Sequence, residues 1–219
     1  MMRRIVILSY APACRDSCEP FQRGAGTRKA SAGLRLVDPP PNPIYMHPSS
    51  ELRGTKSKRL ECKRIILGVT GSIAAVEDVR LIRELIRHGA EVFPVMSPCA
   101  AKIIHPDSLW FASGNRAVTE LSGDVEHVMH CGKVPHRADL LLIAPCTSNT
   151  ISKMACAIDD TPVTTFAATA IGTGMPVMVA PAMHESMFAH QGVRENIRKL
   201  EALGVQFIAP RIEENKAKL

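Results

Sequence analysis

Short apolar runs alternate with longer amphipathic stretches from Lys63 to the end of the chain. The runs consist mainly of Ile, Leu, Val and Ala and are bounded by Gly, Pro or polar residues, a pattern typical of strands buried on both faces. They predict strands over residues 64–69, 91–96, 139–145, 176–181 and 205–210. Three of these strands end in Ala-Pro.

The stretches between the strands show helical periodicity. The first predicted helix ends at Gly89 and has one apolar face, formed by Val76, Val79, Ile82, Leu85 and Ile86. Further helices are predicted over residues 98–112, 147–157, 161–171 and 186–203. Alternating strands and helices predict an α/β fold, a three-layer doubly wound parallel sheet of the flavodoxin-like or Rossmann-like type. Ligands of such sheets bind beyond the carboxyl ends of the strands.

The chain divides by composition near residue 45. Residues 1–45 are rich in Pro, Gly and Arg, so we expect a disordered or over-called amino-terminal extension there, with a targeting peptide as the weaker alternative and Met46 as a possible natural start. Residues 46–219 form the predicted globular domain.

Charge and hydropathy argue against two classes of partner. Residues 1–60 hold 11 of the 27 Lys and Arg but only 4 of the 21 Asp and Glu, so the net charge of +6 belongs to the amino-terminal end and does not indicate nucleic-acid binding. No run of eighteen apolar residues and no signal-peptide pattern occur, so we expect no membrane association and a cytoplasmic location.

Seven cysteines are scattered without a CxxC pair. Cys14 and Cys18 have no second pair near them, and no HExxH motif is present, so reduced thiols are expected and a metal site is not.

Small polar residues follow three of the predicted strands. Gly71 and Ser72 open the first helix, where free backbone amides and the helix dipole favour an anion such as phosphate; the alternative is a plain Gly-Ser turn. Ser97 repeats the pattern after the second strand, where an ordinary cap explains it equally well. Neither GxGxxG nor a Walker lysine is present, which argues against dinucleotides and nucleoside triphosphates.

The third strand is followed by a denser polar group of Thr147, Ser148, Asn149 and Thr150. One or two such residues would cap a helix, whereas four in a row exceed what capping needs. Their hydroxyls and amide are suited to the polar edge of a heterocycle.

Histidines supply the remaining candidates. His127 lies ahead of the central strand, but His130 and His136 are close to it, so spacing alone does not choose among them. After the fourth strand, Pro181 ends the apolar run, and Met183 and His184 follow at the ligand-binding edge.

The stretches "GSIAA", "APCTSNTISKM", "IDDTPVTT" and "PAMHESM" together resemble the homo-oligomeric flavin-containing cysteine decarboxylases. The likeness runs from about His47 to the final residues. It assigns FMN phosphate to Gly71, Ser72 and Ser97, and places Thr147, Ser148, Asn149 and Met183 near the isoalloxazine ring and substrate.

The same resemblance assigns catalytic roles to His127, Asn149, His184 and Met187, with His130 as the second choice for the catalytic histidine. His184 stands where many members have the Asn that holds the substrate carboxylate. No cysteine follows Cys156, although many members protonate an enethiolate from a cysteine in a later flap.

The resemblance implies FMN-dependent decarboxylation of 4'-phospho-N-pantothenoyl-L-cysteine to 4'-phosphopantetheine in coenzyme A biosynthesis. FMN would oxidise the cysteine end to a thioaldehyde, carbon dioxide would leave, and the electrons would return. We expect a homotrimer or a higher multiple, with a phosphopantothenate-cysteine ligase as a separate partner or as a missing second domain. The alternatives are a flavin prenyltransferase, a pterin reductase, and a non-catalytic FMN-binding regulatory subunit.

Overall fold

Five parallel strands form one sheet in the computed structural model, which describes residues 47–209. The strands are β1 (Arg64–Val69), β2 (Glu91–Met96), β3 (Leu140–Cys146), β4 (Val177–Pro181) and β5 (Gln206–Phe207), in the order β2-β1-β3-β4-β5. This is the flavodoxin-like order, with its topological switch between β1 and β3. The predicted fold class is confirmed, whereas the predictions for residues 1–45 lie outside the described residues.

Eight α-helices surround the sheet in the described part of the chain. They are α1 (Pro48–Glu51), α2 (Asp78–Arg87), α3 (Pro106–Ser113), α4 (Glu126–Cys131), α5 (Ser148–Ala155), α6 (Pro162–Thr173), α7 (Glu185–Ala189) and α8 (Gln191–Ala202). Short 3-10 segments at Ile73–Glu77 and Ala100–Lys102 precede α2 and α3.

Alternating side chains of β1 pack into two separate hydrophobic cores, one on each face of the sheet. Ile65, Leu67 and Val69 face the core formed with α2 and α3, whereas Ile66 faces the core formed with α5 and α6. Phe166 of α6 is the largest fully buried side chain. Because both faces are covered, the strands read as continuous apolar runs.

Three helical predictions need correction. The helix predicted over 98–112 is a 3-10 turn followed by α3, because Pro106 starts a new helix. The helix predicted over 186–203 is split into α7 and α8 at His190. Val76 was predicted on a buried face but is 50% exposed, because the α-helical period begins only at Asp78.

Four described helices begin with a histidine cap. In α1, α3, α7 and α8 the Nδ1 atom of the preceding histidine accepts a backbone N–H two residues further on. The four capping residues are His47, His105, His184 and His190. A ring nitrogen thus takes the place of the Ser, Thr, Asp or Asn oxygen that most helices use.

Candidate functional site

A buried threonine joins the carboxyl ends of β1 and β3. The hydroxyl of Thr70 donates to the Pro145 carbonyl oxygen at 2.8 Å and accepts the Thr147 backbone N–H at 3.0 Å. Thr70 is 1% exposed, so its hydroxyl is shielded from water. They fix the two loops on either side of the topological switch, which is where ligands of this architecture bind.

The loop after β2 packs against the loop after β1. The Ser97 backbone N–H donates to the Val69 carbonyl oxygen at 2.9 Å. A Cβ added to Gly71 would lie 2.5 Å from the Cβ of Cys99, so only glycine allows this approach. The two loops predicted to hold phosphate are therefore in contact, and the glycine is explained here by loop packing.

The two predicted phosphate serines differ in what their side chains do. Ser72 has an extended backbone and starts the 3-10 segment, and its side chain makes no capping hydrogen bond. The Ser97 hydroxyl accepts the Ala100 backbone N–H at 3.3 Å, so it caps the turn after β2. A hydroxyl that caps a turn still has a proton to donate.

The polar group after β3 is only partly used for capping. Thr147 is the N-cap of α5, and its hydroxyl contacts the Thr150 amide and hydroxyl at 3.4 and 3.1 Å. Ser148 is buried, whereas Asn149 is exposed in the first turn of α5. The pair Thr147 and Thr150 therefore accounts for the cap, which leaves Ser148 and Asn149 for another role.

The loop after β4 is bonded to β3, since the Ala182 backbone N–H donates to the Cys146 carbonyl oxygen at 2.8 Å. His184 follows it on the surface. Its Nδ1 atom accepts the Ser186 backbone N–H at 3.2 Å and contacts the Ser186 hydroxyl at 2.8 Å. Because a backbone N–H can only donate, Nδ1 carries no proton, and the ring proton lies on Nε2.

Met183 and Met187 occupy different surroundings. Met183 is half-buried and packs against the core of α5 and α6. Met187 is 46% exposed and lines a cavity of about 320 Å³ together with Ser148, Ser186, His190 and Val193. This cavity joins the start of α5 to the helices after β4, and a volume of this size is within the range of ligand pockets.

A second cavity lies at the carboxyl ends of β3 and β4. Its volume is about 250 Å³, and it is lined by Ala74, Asp78, Ala144, Pro145, Ala180, Pro181 and Ala182. Asp78 is 3% exposed, and its Oδ2 atom has no hydrogen-bond partner among the described residues. Burial raises the pKa of Asp78 from 3.8 to about 8, and the neighbouring Glu77 carboxylate adds to the shift.

Two of the three candidate histidines ahead of the central strand, His127 and His130, lie on α4, which packs against α6. His127 meets the ring of Phe166 edge-on at 6.5 Å. His130 lies against Phe93 at 4.7 Å and Phe166 at 6.2 Å. Burial lowers the pKa of His130, and the Arg64 cation acts in the same direction.

Within residues 47–209, no hydrogen bond links α4 to the loops after β1, β3 or β4, and the Nδ1 atoms of His127 and His130 are buried without a partner. The structure thus brings the predicted loops together at one edge of the sheet, whereas His127 makes no hydrogen bond to them within the described residues.

Two residues of this edge were missed by sequence analysis. Thr70 follows an apolar strand directly, but a single threonine there gives no distinctive signal. Asp78 had one: it lies four residues before Ile82 and eight before Ile86, so the helical period puts a carboxyl on the buried face of α2.

The chain is an α/β protein with a flavodoxin-like sheet and small polar loops at its switch point, the place where ligands of this architecture bind. The model of the Flavoprotein family matches residues 53–219, and the chain belongs to that family.

The coenzyme A biosynthesis bifunctional protein CoaBC of Thermococcus kodakarensis is 56% identical over 174 residues, which cover 80% of this chain and 43% of that protein. Its counterpart in Methanocaldococcus jannaschii is 45% identical over 175 residues, covering 80% and 42%. The chain therefore spans less than half the length of these relatives.

Solved structures agree with the fold. The FMN-dependent cysteine decarboxylase SpaF matches with a TM-score of 0.61 at 26% identity, covering 71% of this chain and 87% of that one. A mutant PPC decarboxylase complexed with pantothenoylaminoethenethiol matches with a TM-score of 0.55 at 26% identity, covering 68% and 82%. Among residues 47–209, no helix has the length and apolar character needed to cross a membrane.

Proposed function

We propose that this chain is an FMN-dependent decarboxylase of 4'-phospho-N-pantothenoyl-L-cysteine. The observation that supports it best is the set of hydrogen bonds that gathers four loops at one edge of the sheet. Ser97 is bonded to β1, Thr70 joins β1 to Thr147, and Ala182 is bonded to β3. The relatives named as coenzyme A biosynthesis proteins support the same substrate class.

The residues at this edge fit FMN. Ser72 has a hydroxyl that is not used for capping, and it stands beside Gly71 at the start of a helical segment, where a phosphate is favoured. Ser148 and Asn149 lie in the first turn of α5, next to the Thr147 amide that Thr70 holds, and their side chains are the polar groups proposed for the flavin ring. The two-electron oxidation and re-reduction that the decarboxylation requires would be supplied by the flavin.

His184 is suited to hold the substrate carboxylate. Since its Nδ1 atom is occupied as the acceptor of the Ser186 amide, its Nε2–H remains available as a donor. The asparagine that resembling proteins have at this position also offers an N–H donor. A hydrogen bond to a carboxylate is among the stronger ones, because the acceptor is charged.

His127 would act on the proton of the substrate thiol or on the carboxylate, as the family resemblance implies. Members of the family that the sequence resembles bind the flavin at a subunit boundary, so in the proposed trimer a second protomer can supply this imidazole. Ile73 and Val76, next to the phosphate-type loop, are 77% and 50% exposed and are suited to such a boundary.

The test is anaerobic incubation of purified, flavin-loaded protein with 4'-phosphopantothenoylcysteine, followed by mass spectrometry of the products. Loss of carbon dioxide is expected from the wild type and not from His127→Asn, which should still retain flavin. Unchanged substrate with flavin bound would overturn the proposed activity and favour a pterin reductase or a regulatory subunit.

A further inference from the structure

The cavity of about 250 Å³ beside α2 contains one polar side chain, that of Asp78. Asp78 is the first residue of α2 and continues the buried stripe of Ile82 and Ile86, which explains why the chain holds it inside. Its Oδ2 atom has no partner among the described residues. A buried carboxyl without a hydrogen bond costs free energy, so a structure that keeps one indicates a missing partner.

The lining of the cavity is suited to contact a planar apolar ring. Apart from Asp78, its lining consists of alanine and proline side chains only, contributed by Ala74, Ala144, Pro145, Ala180, Pro181 and Ala182. Small side chains of this kind leave room for a planar ring to lie against them. The cavity therefore offers a smooth wall together with one point of polar recognition.

The position of the cavity connects it to the loops assigned to FMN. Ala74 comes two residues after Ser72, and Pro145 comes two residues before Thr147. The hydrogen bonds of Thr70 hold these two loops together. A ligand that places its phosphate at Gly71 and Ser72 would therefore have this cavity next to its heterocycle.

We propose that Asp78 is a flavin-binding residue whose carboxyl group hydrogen-bonds the polar edge of the isoalloxazine ring. This inference rests on the proposed function, because it takes FMN as the ligand. The ring edge presents carbonyl oxygens that accept hydrogen bonds and an imide N–H that donates one. A neutral carboxyl group matches that pattern, since its O–H donates to a ring carbonyl and its carbonyl oxygen accepts the imide N–H.

The surroundings of Asp78 keep the carboxyl in that neutral form. Burial raises its pKa to about 8, and the neighbouring Glu77 carboxylate also disfavours ionisation. Among residues 47–209, no other ionisable side chain lines the cavity. At neutral pH, Asp78 therefore has both the donor and the acceptor that the ring edge requires.

The test compares flavin binding by apoprotein variants, followed by quenching of flavin fluorescence. Asp78→Val keeps the approximate volume but removes both oxygens, and we expect it to weaken FMN and riboflavin equally, by about tenfold, which corresponds to about 1.4 kcal/mol. Asp78→Asn retains a donor and an acceptor and should remain within about threefold of wild type. Ser72→Ala should weaken FMN more than riboflavin, because it acts on the phosphate.

Stability separates a ligand-binding role from a structural one. Removing an unpartnered buried carboxyl should leave the apoprotein of Asp78→Val at least as resistant to urea as the wild type, whereas a structural role predicts a loss. Asp107→Ala removes an exposed aspartate of α3 and serves as the control with unchanged flavin affinity. If Asp78→Val does not fold, Asp78→Ala takes its place, with the same expected loss of affinity.

Failure of the proposed role of Asp78 can be distinguished from failure of the proposed function. If the wild type binds FMN and the folded Asp78→Val variant binds it equally well, the role of Asp78 is overturned and the proposed function stands. If the wild type binds neither FMN nor riboflavin, both are overturned.

Discussion

The hydroxyl of Thr70 accepts the backbone N–H of Thr147 at 3.0 Å while donating to the carbonyl oxygen of Pro145. One side chain thus satisfies two backbone groups at the end of β3, the carbonyl of Pro145 and the amide of Thr147. These groups are 75 and 77 residues away in the chain, but β3 is the neighbour of β1 in the sheet. The switch point keeps its shape through this contact.

Substitution of Thr70 by Val is expected to destabilise the fold. The variant keeps the branched shape but leaves the Thr147 N–H without a partner, which costs about 1–3 kcal/mol in the free energy of unfolding. Urea denaturation measures the loss, and flavin affinity should fall with it. Thr70→Ser retains the hydroxyl and should lie within about 1 kcal/mol of wild type. Equal stability of the Val and Ser variants would contradict this role of the hydroxyl.

Gly71→Ala tests the close packing of the first two loops. The added methyl group would lie 2.5 Å from the Cβ of Cys99, so we expect a loss of about 1–3 kcal/mol in the free energy of unfolding. Cys99→Gly in the same chain removes the colliding atom and should restore most of the loss. Gly172→Ala is the control, because nothing lies within 4 Å of its added methyl group and alanine favours the helix. An unchanged free energy of unfolding in Gly71→Ala would show that the two loops can separate freely.

The two histidines of α4 should respond differently to substitution. His127→Asn is expected to abolish turnover while flavin remains bound. His130 is half-buried between Phe93 and Phe166, and burial lowers its pKa, so we expect it to have a packing role. His130→Leu should therefore keep kcat and its pH profile while changing mainly the thermal midpoint. Loss of turnover in His130→Leu with flavin bound would reverse the assignment.

Supply of His127 by a second subunit has a direct test in mixed oligomers. Inactive His127→Asn and His184→Ala chains, unfolded and refolded together, should regain part of the activity, because some boundaries then contain one intact copy of each residue. Each variant refolded alone is the control. No recovery in oligomers that demonstrably mix would place both residues in one chain's site.

Asp78 should make stability depend on pH. The pKa of this carboxyl is 3.8 in the unfolded chain and about 8 in the folded protein. Between about pH 4 and 8 the unfolded chain therefore loses this proton, whereas the folded chain keeps it. Stability contributed by the protonated group is therefore complete below about pH 4 and is lost as the pH rises to about 8. Asp78→Asn removes this dependence, so its advantage over the wild type in urea denaturation should grow across that window. A constant difference would mean that the carboxyl is already ionised in the folded state.

The reactivity of the described cysteines toward alkylation should follow their burial. Burial raises the pKa of Cys131 to about 12 and raises that of Cys146 as well, so neither forms the reactive thiolate. Cys62, Cys99 and Cys156 are exposed. Iodoacetamide followed by peptide mass spectrometry should label Cys99 and Cys156 in the native protein, and Cys131 and Cys146 only in guanidinium. Early labelling of Cys146 would show that the carboxyl end of β3 opens under native conditions.

The sequence predicts the sheet well because its signals are local. The first two strands coincide with the predicted ranges, since each apolar run is bounded by polar or turn residues. The six-residue α4 was not predicted, because it is too short to show a period, and Val125 before it adopts a left-handed φ of 48° that β-branched residues rarely take.

The site also combines residues with a local sequence signal and contacts without one. Gly71, Ser72, Ser97 and the residues after β3 are predictable, because small polar residues after a parallel strand must lie at the same edge. The contact between Thr70 and Thr147 is not, since it depends on which strands become neighbours. The position of His127 is equally unpredictable from local signals, since it depends on how α4 packs against α6.

The histidine caps of α1, α3, α7 and α8 tie each imidazole ring to the first turn of the helix that follows it. Because Nδ1 accepts a backbone N–H of that turn, the helix start sets the orientation of the whole ring. At His184 the ring that the proposed substrate contacts is therefore oriented by the start of α7. A substitution that displaced the first turn of α7 would rotate this ring and weaken substrate recognition without touching the sheet.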